Sequence, residues 1–90
     1  MEMHQVRYFL AAARTLSFTR AAEECHVSQP ALTAATKKLE AELGSPLFFR
    51  EANRLQLTAF GRQMTPLLEQ ISARTEAAAA AAENFRLLRQ

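Results

Sequence analysis

Ser28-Gln29-Pro30-Ala31-Leu32-Thr33-Ala34-Ala35-Thr36-Lys37-Lys38-Leu39-Glu40-Ala41-Glu42-Leu43-Gly44 is the stretch on which the fold turns. Ser28 is a good N-cap, because its hydroxyl can accept a free backbone N–H of the first turn. Pro30 falls inside that turn, where its missing N–H costs nothing. Gly44 offers the left-handed position that ends a helix, and Pro46 prevents continuation. Leu32, Thr36, Leu39 and Leu43 recur at steps of four, three and four and share one face. Gln29, Pro30, Thr33, Ala34, Lys37 and Lys38 are left pointing outward, a polar and partly basic face of the kind that enters a DNA groove.

Upstream, Val6, Phe9, Leu10 and Ala13 form the apolar stripe of a helix from His4 or Gln5 to about Arg14. Ser17 caps a short helix from Phe18 to about Cys25, and the small Ala21 and Ala22 permit a close crossing by a neighbour. His26-Val27 leaves room only for a tight turn before Ser28. Two short helices so joined are the helix-turn-helix pattern. Downstream, Leu47-Phe48-Phe49-Arg50 and Leu55-Gln56-Leu57 flank the polar Glu51-Ala52-Asn53-Arg54 and predict a small β-hairpin.

Thr58 then caps a long helix from about Ala59 to Arg89. Phe60, Met64, Leu67, Ile71, Ala78, Phe85 and Leu88 follow steps of four and three along it, skipping Arg74 and Ala81, as in a coiled-coil seam. Such a helix is ~45 Å long at ~1.5 Å per residue, too long for so small a domain to cover. Its seam needs a partner, and a second copy of the same helix is the obvious one. Pro66 lies past the first turn and predicts a local bend.

Ninety residues, 49% apolar, suit one small domain with an extension. The net charge of +2 lies wholly in residues 29–62, where Lys37, Lys38, Arg50, Arg54 and Arg62 face Glu40, Glu42 and Glu51. Cys25 is the single cysteine, so an internal disulfide or a cysteine metal site is excluded. We expect no metal, no cofactor and no catalytic residues, since there is no nucleophile–base pair and no phosphate-binding glycine loop. The start of the chain has no signal-peptide pattern and no stretch suits a membrane span, so a cytoplasmic protein is expected.

The chain resembles the N-terminal DNA-binding region of LysR-type transcriptional regulators over nearly its whole length. Tyr8-Phe9, Ser17-Phe18-Thr19-Arg20-Ala21-Ala22-Glu23 and His26 to Leu32 carry the likeness. So do Leu39-Glu40, Glu42-Leu43-Gly44, Pro46-Leu47-Phe48, Arg50, and Leu57-Thr58 with Gly61. The resemblance implies a mainly α fold: a winged helix-turn-helix of three helices and a short hairpin wing over residues 1–58, then a dimerisation helix over 59–90. It implies sequence-specific binding of double-stranded promoter or operator DNA by a homodimer that regulates transcription. In such regulators a small-molecule effector binds a larger C-terminal domain, which is absent here, so the chain reads as part of a longer regulator.

Carried over by position, the resemblance implies that helix 29–43 enters the major groove and wing 50–56 approaches the minor groove. Gln29, Pro30 and Thr33 match the groove-reading face, with Ala34 between them and Ser28 able to reach phosphate. Lys37 and Lys38 would hold the backbone, Arg50 opens the wing, and Asn53 with Arg54 forms its tip. Gln pairs bidentately with adenine, methyl groups pack on thymine, and Arg suits a narrow minor groove. Ala34-Ala35 departs from the family's long polar residue followed by Gln, Thr36 from its Ile or Leu, and Phe49 from a commoner acidic residue. If Lys37, Lys38, Arg50 and Arg54 each neutralise one phosphate, a dimer neutralises ~8 and the log–log salt slope is roughly −7. The alternative is a helical interaction or dimerisation module whose basic face is incidental; it leaves the capped Ser-Gln-Pro entry and the wing without a reason.

Overall fold

In the computed structural model, Ser28 accepts the Ala31 amide on its hydroxyl at 3.2 Å and opens α3, Gln29–Leu43. Gly44 ends that helix at φ 90°, with its N–H on the Glu40 carbonyl. The structure describes residues 1–51 and 54–89. Before α3 come α1, Met3–Thr15, and α2, Phe18–Cys25. After it come β1, Phe48–Glu51, β2, Arg54–Leu57, and α4, Ala59–Leu88.

The α1 helix begins at Met3, earlier than its apolar stripe suggested. The Gln5 side-chain oxygen accepts the Glu2 N–H at 2.9 Å and closes the first turn. Its buried residues are Gln5, Val6, Phe9, Ala11 and Ala12, while Leu10 and Ala13 are half-buried. This shift reflects its central place, since α1 packs on α2, α3 and α4, and a helix with three neighbours buries more than one stripe. Leu16 and His26 end α1 and α2 in left-handed conformations, at φ 53° and 58°. Neither is glycine, so each turn carries a modest steric cost.

The core joins Val6, Phe9 and Ala12 of α1 to Ala21 and Ala22 of α2, Leu32 and Leu39 of α3, and Leu47, Phe48 and Leu68. Phe48 packs its ring against Phe9 and Phe18, both at 5.5 Å between centroids. Thr36 is fully buried where an aliphatic residue would be expected. Its hydroxyl donates to the Leu32 carbonyl at 2.9 Å, so no polar atom is left without a partner.

The strands are antiparallel, in register from Phe48 opposite Leu57 to Glu51 opposite Arg54. Glu51 and Arg54, expected in the turn, are paired strand residues; pairing satisfies their backbone groups better than solvent alone. Thr58 then joins hairpin to helix. Its hydroxyl accepts the Gly61 amide at 2.9 Å and donates to the Pro46 carbonyl at 2.7 Å, while its own N–H reaches the Leu47 carbonyl at 3.0 Å. Gly61 is required at this corner, because a Cβ there would sit 2.2 Å from the Leu47 carbonyl oxygen.

The α4 helix is continuous through Pro66. Its first half rests on the domain through Leu68, with Phe60, Met64 and Ile71 partly buried beside it. From Ala73 to Leu88 it is exposed throughout, so the molecule measures 55 × 25 × 19 Å. No helix among the described residues is long and apolar enough to cross a membrane.

Candidate nucleic-acid interface

The outer face of α3 is free of the rest of the fold. Gln29, Pro30, Ala34, Lys37 and Lys38 are exposed and Thr33 is half-buried. The Gln29 amide donates to the Thr33 hydroxyl at 3.2 Å, one turn on, which holds both polar groups on the same line. Ser28 is also exposed, but its hydroxyl is already occupied as the helix cap. Ala34 presents only its methyl group between these polar positions.

An open groove runs beside that face. It is lined by Gln29, Thr33 and Lys37 of α3, by Arg50, Arg54 and Leu55 of the hairpin, and by Ser17, Phe18 and Thr19 around the start of α2. The fold therefore brings Gln29, Thr33, Lys37, Arg50 and Arg54 together around one concavity. Ser28, Pro30, Ala34 and Lys38 lie on the helix outside it. Asn53 falls outside the described residues.

The cations at this surface differ in their commitments. Lys37, Lys38 and Arg54 make no ion pair among the described residues, so their charge faces solvent. Arg50 is engaged: its guanidinium donates to Glu40 at 3.0 Å and lies over the Phe18 ring, 5.4 Å from the centroid. The arrangement can attract a polyanion along α3 and the hairpin and offer amide, hydroxyl and methyl groups to whatever edge enters between them.

Sequence reasoning missed four contributors. Ser17 was legible as a cap, and its hydroxyl accepts the Arg20 amide at 3.1 Å. That it and Thr19 also open on the groove follows from the crossing of α2 over α3, which spacing does not encode. Leu16, at the end of α1, borders the same groove. Glu40, which holds Arg50, gave no sign of reaching the hairpin.

The expected pairing residues of α4 divide between two surroundings. Phe60, Met64 and Ile71 pack against the domain's own core, whereas Leu67, Ala78, Phe85 and Leu88 are exposed. Cys25 is half-buried beside Arg7, Arg14 and Glu24. Burial pushes its thiol above the ordinary range, and Glu24 adds to this while Arg7 and Arg14 oppose it.

Comparison with known proteins gives the same surface a setting. The family model for bacterial regulatory helix-turn-helix proteins of the lysR family matches residues 3–62. The HTH-type transcriptional regulator IlvR of Caulobacter vibrioides is 46% identical over 74 residues, which cover 81% of this chain and 25% of IlvR. The chain thus spans about a quarter of that relative's length. Among solved structures, Vibrio fischeri DarR in complex with DNA matches with a TM-score of 0.91 at 26% identity, covering 98% of this chain and 30% of that one. The BenM DNA-binding domain in complex with catB site 1 DNA matches with a TM-score of 0.89 at 27% identity, over 96% of both chains.

Proposed function

Since the chain belongs to the lysR family of bacterial regulatory helix-turn-helix proteins, we propose that it binds double-stranded operator DNA sequence-specifically, as a homodimer that regulates transcription. The observation that carries this reading is the groove in which Gln29, Thr33 and Lys37 of α3 face Arg54 across exposed, largely uncommitted polar surface. An α-helix fits the major groove, and on this reading the hairpin, whose Arg50 and Arg54 share the concavity with α3, approaches the adjoining minor groove. DarR and BenM, whose structures contain DNA, match this chain over nearly all of its length and support the reading.

On this reading residues 1–58 are the DNA-binding unit and residues 59–90 the pairing helix. Gln29, Thr33 and the Ala34 methyl read base edges, while Lys37, Lys38 and Arg54 hold phosphates, with Pro30 and Ser28 shaping the helix entry. Leu67, Ala78, Phe85 and Leu88 meet the second copy, and Phe60, Met64 and Ile71 brace the helix against its own domain. The protein is a binding protein of the cytoplasm and not an enzyme. Control by a small-molecule effector belongs to a C-terminal domain outside these residues.

Selection of bound sequences from random duplex DNA tests the reading. A recovered motif of two half-sites spaced by about one helical turn, ~34–36 Å, or a multiple of it, is the expected result. Recovery of no motif, with equal affinity for every duplex, would reduce the surface to a general basic face.

A further inference from the structure

Glu40 sits in the last turns of α3 and reaches across the turn at Gly44 to the start of the hairpin. One of its carboxylate oxygens accepts the Leu47 amide at 2.6 Å and the Phe48 amide at 3.3 Å. The other accepts the Arg50 guanidinium at 3.0 Å. Its side chain is only 11% exposed, against 32% for Arg50. A single carboxylate thus fixes the base of the hairpin to the recognition helix and holds the hairpin's first cation.

Resting on the DNA-binding reading, we propose that Glu40 is a positioning residue, which withholds the Arg50 charge from DNA phosphates while keeping the wing in place. A phosphate that approached the paired guanidinium would also approach the Glu40 carboxylate, a like charge. The attraction to Arg50 is then largely offset by repulsion from its partner. Lys37, Lys38 and Arg54 carry no such partner among the described residues and attract phosphate at full strength. Non-specific binding rests almost wholly on phosphate neutralisation, so one cation fewer per protomer weakens it while the contacts to base edges stay intact. The amide bonds to Leu47 and Phe48 need only an acceptor oxygen, which a glutamine would also supply; the charge is what restrains Arg50.

The test separates those two roles in the intact chain by measuring the salt dependence of binding to random duplex DNA. Glu40→Gln keeps an acceptor for the hairpin amides and frees Arg50. Its log–log salt slope should steepen by about 1.8 per dimer, an advantage that shrinks about 12-fold when salt rises fourfold. Adding Arg50→Ala to that variant should return the slope to the wild-type value. Lys37→Ala, which removes a cation with no ion-pair partner among the described residues, should lower the slope's magnitude by about 1.8. An unchanged slope in Glu40→Gln, or a double variant that keeps the steeper slope, would overturn the proposal. If Glu40→Gln does not fold, the wild-type slope decides alone: about −5.4, from Lys37, Lys38 and Arg54 of two protomers, supports the proposal, and about −7.2 overturns it. A wild-type chain with no salt-dependent binding to any DNA would instead sink the DNA reading, and the role of Glu40 with it.

Discussion

Leu67 and Leu68 are neighbours in α4 and stand in opposite surroundings, Leu67 at 48% exposure and Leu68 at 1%. Successive residues of a helix point about 100° apart, so a helix lying on a domain turns one inward and leaves the next free. Leu68→Ala should destabilise the domain by about 2–5 kcal/mol, read from thermal or denaturant unfolding. Leu67→Asp should leave a monomeric domain intact and weaken self-association, read by sedimentation. Equal loss of stability in both variants would show that Leu67 is buried as Leu68 is.

Gly61 and the Leu47 carbonyl approach too closely to admit a side chain. Gly61→Ala should cost at least about 1–3 kcal/mol through overpacking. For a domain of this size that lowers the melting midpoint by roughly 4–20 °C. A melting curve superimposable on that of the wild type would mean that α4 can lift from Leu47 freely.

Gln29 extends from the first turn of α3, where its amide is lightly held by Thr33. Gln29→Ala should weaken binding to selected sites by about 1–3 kcal/mol and leave binding to random DNA almost unchanged. The comparison is a paired titration at one salt concentration. Equal loss on both duplexes would make Gln29 a backbone-positioning residue.

Cys25 should react slowly. The thiolate is the nucleophile, and partial burial raises the thiol's ordinary pKa, so less thiolate exists at a given pH than in a free thiol. Alkylation by iodoacetamide at pH 8 should be slower than that of a small free thiol. Its rate should keep rising with pH beyond the point where the free thiol's levels off. A faster reaction would mean that Arg7 and Arg14 outweigh burial.

Helix ends were the most legible part of the fold, because a cap is a local bond. Ser17, Ser28 and Thr58 each accept the amide three residues on, and Gly44 takes the left-handed conformation that its position demanded. The outward face of α3 was equally legible, since spacing alone sorts Leu32 and Leu39 from Gln29 and Lys37. The facing of α4 was not. A count in steps of four and three from Phe60 arrives at Leu67, but the domain buries Leu68 and partly covers Phe60, Met64 and Ile71, and only packing distinguishes the two stripes. Glu40 was hidden for a related reason: its partners lie seven to ten residues away, across a turn whose path no periodicity describes. The groove itself required knowing how α2, α3 and the hairpin meet.

The corner at Thr58 and Gly61 has a mechanical consequence. Three short polar contacts and one forbidden Cβ set the direction in which α4 leaves the domain. Beyond Ile71 the Thr75 hydroxyl still reaches the Met3 sulfur at 3.3 Å, and from Glu76 to Leu88 the helix is exposed. The helix is therefore a lever whose free arm starts past Thr75: over about 20 Å, a tilt of about 10° there swings the Leu88 end by roughly 3 Å.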